Sequence, residues 1–133
     1  MVVALSGDRL TKVAGAFSTT TWERTHWRQP AFDLTGTWRS NDGGIYYIRH
    51  LDNNKIWWVG LSDDGSGHNW TNVLEGEVSY DNFGGVQLSG VWFDVPRGTN
   101  RGNGIVGFEV RYGDLVKNYE NIGFGTTRLK RIS

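Results

Sequence analysis

The sequence contains no cysteine, and this absence excludes several classes of protein at once. Without thiols the chain has no disulfide staples, no thiolate zinc site and no cysteine nucleophile. Its 14 Lys and Arg residues balance 14 Asp and Glu residues, so it lacks the basic excess that holds a nucleic-acid backbone. We therefore expect a fold held together by packing, with no nucleic-acid partner, no metal and no cofactor.

Long apolar runs are also missing. No stretch approaches the roughly 18 apolar residues that span a bilayer. The charged Asp8 and Arg9 stand where the apolar part of a signal peptide would continue. The sequence therefore predicts a cytoplasmic chain without membrane contact, and its 133 residues have room for one domain.

Glycine and aromatic residues are abundant instead. The 19 Gly, 7 Trp, 5 Tyr and 6 Phe residues are typical of an all-β chain with many turns. Residues 1–33 show no sustained period and are predicted to be an irregular N-terminal arm, whereas residues 34–133 break into short β-prone runs separated by turn clusters. The predicted strands are 34–39, 45–51, 55–61, 70–79, 86–95, 105–112, 115–121 and 125–132.

A glycine recurs near the middle of most of these runs. The recurring positions are Gly36, Gly60, Gly76, Gly90, Gly107 and Gly123. Glycine inside a strand marks a sharp bend or a close approach of another backbone. Closing a sheet also removes its exposed edges. We therefore expect an eight-stranded antiparallel up-and-down barrel, with a two-sheet sandwich as the alternative.

The first predicted strand carries a recognisable motif. The string Leu34-Thr35-Gly36-Thr37-Trp38, followed by the turn Asn41-Asp42-Gly43-Gly44, resembles the opening of avidin-type proteins, and Gly-x-Trp is also the lipocalin signature. The resemblance implies a calycin barrel around a cavity for one small ligand, with Gly36, Trp38 and Arg128 as its structural signature and with Arg128 packing across Trp38.

The likeness does not extend to the biotin head group. Two positions where avidins carry a polar Asn and a Ser are Ser40 and Gly44 in this chain. The strings from Gly43 to Arg49 and from Asp94 to Pro96 are similar to those of uncharacterised small bacterial barrels. The resemblance therefore implies a small ligand whose identity it leaves open, and two of the contacts that avidins make to biotin are not matched.

Topology indicates which end of the barrel carries the site. In an up-and-down meander successive turns alternate between the two ends, so the longest polar loops, near residues 62–69 and 96–104, share one end. Long loops on a rigid scaffold are where binding groups tend to lie. The predicted ligand-binding residues on the inward face are Tyr46, His50, Trp58, Trp92 and Asp94.

Trp92 and Asp94 suggest the kind of ligand. An aromatic wall beside one carboxylate suits a sugar, a purine or an aromatic ring with a donor group. The alternative is that Trp92 fills the core and Asp94 caps the turn before Pro96. We expect a small-molecule-binding barrel without catalysis. A lectin-like carbohydrate-binding module is the first alternative, a small enzyme using Asp94 or His50 is the second, and a purely structural or oligomerising domain is the third.

Further aromatic residues point to the outer surface. Trp57 and Trp58 are adjacent, so one must face outward from a strand. An exposed Trp57 near Tyr47 would form an apolar outer patch that suits contact between subunits of a homo-oligomer. Trp22 and Trp27 of the arm could dock on this patch or plug the closed end. A monomer with scattered aromatic residues is the alternative.

Overall fold

The computed structural model describes residues 33–133, which form a closed antiparallel barrel. The strands are β1 (Gly36–Ser40), β2 (Ile45–His50), β3 (Lys55–Leu61), β4 (Thr71–Tyr80), β5 (Val86–Asp94), β6 (Asn103–Arg111), β7 (Asp114–Glu120) and β8 (Arg128–Arg131). A short turn, α1 (Ser62–Gly65), follows β3, and its Asp63 and Asp64 have positive φ angles of 51° and 58° and not the angles of a right-handed helix. Each strand pairs with its neighbours in sequence, and β8 pairs with β1. The predicted all-β up-and-down barrel is confirmed.

The strands face the core with alternate residues, as a period of two requires. In β2, Tyr46, Ile48 and His50 are buried while Tyr47 is exposed. The adjacent tryptophans of β3 divide in the same way, because Trp57 is 48% exposed and Trp58 only 3%. The expectation that one of them faces out is therefore correct.

The paired glycines of β4 and β5 allow these two strands to approach unusually closely. Gly76 and Gly90 are register partners. A Cβ atom on Gly76 would lie 2.3 Å from the carbonyl oxygen of Ser89, and one on Gly90 would lie 2.4 Å from that of Glu75. Any other residue would force the backbones apart, so these glycines have the role expected of glycine inside a curved sheet.

The seam between β8 and β1 corrects one detail of the family resemblance. Trp38 faces Arg131 in the register, and the Arg131 guanidinium carbon lies 4.8 Å from the centroid of the Trp38 ring. Arg128, which the resemblance assigned to this contact, instead donates from Nε to Oδ2 of Asp114 at 2.8 Å. The register explains the difference, since only residue 131 lies opposite Trp38.

The predicted N-terminal arm, including Trp22 and Trp27, lies outside the described residues except for Asp33. The Asp33 carboxylate accepts a hydrogen bond from the backbone N–H of Thr35 at 3.0 Å. In residues 33–133 no helix is long and apolar enough to cross a membrane.

Candidate functional site

A cavity of about 280 Å³ opens among the loops that follow β1, β3, β5 and β7. The residues that line it are Asp42, Tyr46, Trp70, Asn72, Trp92, Asp94, Asn100, Gly123, Phe124, Gly125 and Thr126. This volume is near the lower limit for ligand pockets and would hold roughly nine waters. We call this end of the barrel the loop end and the opposite end the tight-turn end.

The loop between β3 and β4 fixes the position of Trp70. The Ser62 hydroxyl oxygen accepts hydrogen bonds from the backbone N–H groups of Asn69 and Trp70, each at 3.0 Å. On the other side the backbone of Gly98 packs so closely that a Cβ there would lie 2.4 Å from the Trp70 Cα. Trp70 is therefore held by two loops before any ligand is present.

A chain of hydroxyl groups connects the barrel interior to Asp42. The Thr126 hydroxyl donates to Oδ2 of Asp42 at 3.0 Å and lies 3.0 Å from the Tyr46 hydroxyl. Because an ionised carboxylate only accepts, the Thr126 proton belongs to Asp42, and Tyr46 must donate to Thr126. Ser40 donates to the other oxygen of Asp42. Every proton in this chain is directed toward Asp42.

Asn72 joins this chain to the tryptophan beneath the cavity. Its side-chain oxygen accepts a hydrogen bond from Nε1 of Trp58 at 2.8 Å. The Trp58 ring packs edge-on to Tyr46, with 4.9 Å between the ring centroids. Burial raises the pKa of the Tyr46 phenol, and the negative charges of Asp42 and Asp94 raise it further, whereas hydrogen bonds with Thr126 and Asn72 lower it. Tyr46 therefore keeps its proton and its donor role.

Trp92 and Asp94 lie at the end of β5, and each has a polar side-chain atom without a hydrogen-bond partner in residues 33–133. Oδ2 of Asp94 accepts a hydrogen bond from the Gly102 N–H at 2.8 Å, while within residues 33–133 its other carboxylate oxygen has no hydrogen-bond partner. Trp92 is 5% exposed and packs on Phe124 at 5.1 Å between centroids. Its Nε1 is the one buried side-chain polar atom without a partner in the described residues.

The structure brings three of the five predicted ligand-binding residues to the cavity: Tyr46, Trp92 and Asp94. Trp58 lies behind the wall and supports Asn72. His50 lies at the tight-turn end of β2, where its Nδ1 accepts a hydrogen bond from the Leu34 N–H at 3.1 Å. The two groups considered for catalysis, His50 and Asp94, therefore belong to opposite ends of the barrel and do not form one site.

Sequence reasoning did not assign the other eight lining residues to the site: Asp42, Trp70, Asn72, Asn100, Gly123, Phe124, Gly125 and Thr126. Trp70 and Asn72 could have been predicted from the sequence. They lie four and two positions before the inward-facing Leu74 in one predicted strand, and alternate residues of a strand face the same side. Phe124 and Thr126 lie in the loop before β8. The prediction of a strand from residue 125 was wrong for residues 125–127, because β8 begins only at Arg128 and no strand period applies before it.

The charges on the cavity wall have one sign. The lining includes two carboxylates but no Lys, Arg or His among the described residues. Two basic side chains outside the lining contact backbone carbonyls of lining residues. Lys117 donates to the Phe124 carbonyl and pairs with Glu120 at 2.7 Å, and Arg101 donates to the carbonyls of Asn100 and Gly98 at 2.8 and 2.7 Å. In this part of the chain no three His, Asp or Glu residues are grouped to hold a metal. The cavity thus suits binding through hydrogen-bond acceptors and aromatic faces.

These observations define the class: a closed eight-stranded antiparallel up-and-down barrel with a small polar and aromatic cavity at one end. Comparisons with protein families, with curated proteins and with solved structures found no match to this chain.

Proposed function

We propose that this protein binds a small molecule in the loop-end cavity and does not transform it. The observation that carries the proposal is the convergence of Asp42, Tyr46 and Thr126 with the aromatic rings of Trp70 and Trp92 around a single cavity. A small number of placed polar groups among aromatic walls is the usual composition of a ligand site. An unpartnered buried donor such as Nε1 of Trp92 is typical of a site completed by water or a ligand.

The likeness of the first strand to avidins and lipocalins supports the same proposal. We place the chain with calycin-type barrels on the motif Gly36-Thr37-Trp38 and the turn that follows it. Members of that group hold one small ligand inside an eight-stranded barrel. Ser40 donates to Asp42 and is therefore already engaged, which supports a ligand other than biotin.

Carbohydrate binding is the second candidate. Asp94 and Asn100 lie at the same cavity as the Trp92 ring. An aromatic face beside carboxylate and amide acceptors suits the hydroxyl groups and the apolar face of a single sugar ring. A carbohydrate would then bind in the cavity among the loops.

The proposal is tested by screening free sugars, nucleobases, vitamins including biotin, aromatic acids and aromatic amines for a rise in melting temperature. A true ligand at a hundred times its Kd stabilises the fold by about 2.7 kcal/mol and should also change the tryptophan emission. Asp94→Ala should weaken that binding by about 1–3 kcal/mol, because a hydrogen bond to a charged group is lost.

Glu77→Ala provides the matched control, because this carboxylate is exposed on β4 and does not line the cavity. It should bind the ligand as the wild type does. The proposal fails if no compound shifts the melting temperature, or if Asp94→Ala and Glu77→Ala weaken binding equally.

A further inference from the structure

We infer that the ligand of this cavity is an organic cation, a protonated amine on a small aromatic body. The inference rests on the proposed function and names the chemical class that the site selects. It follows from three properties of the described lining: the sign of its charges, the direction of its hydrogen bonds and the number of its aromatic rings.

The first property is charge. Asp42 and Asp94 both line the cavity, and among its described lining residues no basic side chain compensates them. Both charges act on the same interior group, since each raises the pKa of the Tyr46 phenol. Attraction between unit charges is stronger in a partly enclosed site than in water. A cation entering this cavity gains that attraction, whereas an anion is repelled by both carboxylates.

The second property is the direction of the hydrogen bonds. Tyr46 donates to Thr126, and Thr126 and Ser40 donate to Asp42, so these hydroxyl protons are already used. Acceptor sites remain on Asp42 and on the carboxylate oxygen of Asp94 that has no hydrogen bond in residues 33–133. The two carboxylates therefore require donors on the ligand, and Nε1 of Trp92 is a remaining donor that an ammonium group would leave to water. An ammonium group has three donors and no acceptor, as a lysine side chain shows.

The third property is the aromatic wall. Trp70, Trp92, Phe124 and Tyr46 line the same cavity as the two carboxylates. Ring faces attract cations within about 6 Å of the centroid and also cover apolar bodies. The carboxylates and rings together therefore favour a molecule that joins an amine to an aromatic ring. A simple amine or an uncharged aromatic molecule would use only one of these two features. The small volume limits the body to a compact ring system.

The test uses three probes that share one ring and one chain length: phenethylamine, 2-phenylethanol and phenylacetate. Titration calorimetry on the full chain should show binding of phenethylamine, at least tenfold weaker binding of the alcohol, and no binding of the acid. Tryptamine, 3-indole-ethanol and indole-3-acetate form a second matched series for a larger ring. The expected selectivity follows from the greater strength of charge-assisted hydrogen bonds.

Isosteric variants locate the selectivity. Asp94→Asn should reduce phenethylamine affinity about tenfold while changing 2-phenylethanol affinity little, because only the charge is removed. Asp42→Asn should also reduce the affinity for phenethylamine. The melting temperature of this variant without ligand shows whether the protein still folds when the acceptor of the Ser40 and Thr126 hydroxyl groups is changed. Glu77→Gln, an exposed carboxylate away from the cavity, should leave the amine affinity unchanged.

The outcomes separate the two proposals. If the alcohols or acids bind as tightly as their amines, or if Asp94→Asn leaves the amine preference intact, the cation inference is wrong and the ligand cavity stands. If no member of either series binds and the broader screen also finds no ligand, both the cation inference and the proposed function fail.

Discussion

The two ends of the barrel differ in how fully their polar groups are satisfied. At the tight-turn end, His50 accepts a hydrogen bond from Leu34, and the Trp38 indole donates to the Leu34 carbonyl at 3.0 Å. At the loop end, the Trp92 indole has no partner in residues 33–133, and Asp94 keeps one carboxylate oxygen without a hydrogen bond there. The polar groups named at the tight-turn end are paired, whereas the loop end retains bonding capacity that no group in residues 33–133 uses.

The largest expected effect is at the well-satisfied end. Trp38 is fully buried, and Trp38→Ala should lower the free energy of unfolding by about 3–5 kcal/mol, because a large cavity is left in the core. Chemical denaturation measures this loss. A denaturation midpoint within error of the wild type would mean that Trp38 is not a core residue, and the comparison of the two ends would lose its basis.

A smaller change in the free energy of unfolding is expected when tryptophan is replaced by phenylalanine at each end of the barrel, and this pair of variants compares the two ends directly. Trp38→Phe removes the donor to the buried Leu34 carbonyl and should cost about 1–3 kcal/mol beyond the change in volume. Trp92→Phe removes an indole N–H that has no partner in the described residues, so this cost is absent. Equal losses of unfolding free energy for the two variants would contradict the proposed difference between the ends.

The smallest expected effect concerns a carboxylate that has cationic partners, unlike those of the cavity. Hydrogen bonding from Arg128 holds the pKa of Asp114 below its ordinary value of 3.8, and Lys130 adds to the effect. A carboxyl group with a lowered native pKa stabilises the fold above its unfolded pKa, and this stabilisation is lost as the pH falls through the native pKa.

Asp114→Asn should therefore cost about 1 kcal/mol at neutral pH and progressively less below a pH of about 4. Unfolding free energies measured at several pH values check both parts. A difference between variant and wild type that persists unchanged into acid would contradict the assignment of the stabilisation to the ionised carboxylate.

The sequence was sufficient to predict eight strands and the alternation of facing residues along them, although residues 125–127 of the last predicted strand form a loop. Alternation along β3 requires Trp57 and Trp58 to point in opposite directions, and the structure agrees. It was insufficient for contacts that depend on the register across the seam. Whether Arg128 or Arg131 reaches Trp38 depends on how β8 aligns with β1, and no local pattern encodes that alignment.

The cavity was predictable only in part, for a related physical reason. Tyr46, Trp92 and Asp94 follow from strand parity and from the end at which the long loops lie. Phe124 and Thr126 reach the cavity from irregular backbone, where side-chain directions are set by hydrogen bonds such as the one from Thr126 to Asp42. Such bonds join residues far apart in sequence, so a local period cannot reveal them.

The seam between β1 and β8 has a consequence for the order of folding. Ser40 and Leu129 are register partners separated by 89 positions (129 minus 40), whereas the other described strand pairs join consecutive strands. Closing a chain loop about nine times longer than that of a hairpin costs roughly 2 kcal/mol more in entropy, so we expect the hairpins to form first and the seam last. The bond from Thr126 to Asp42 spans this seam. The cavity is then assembled only in the final step of folding, and an occupant would slow the reopening of the barrel.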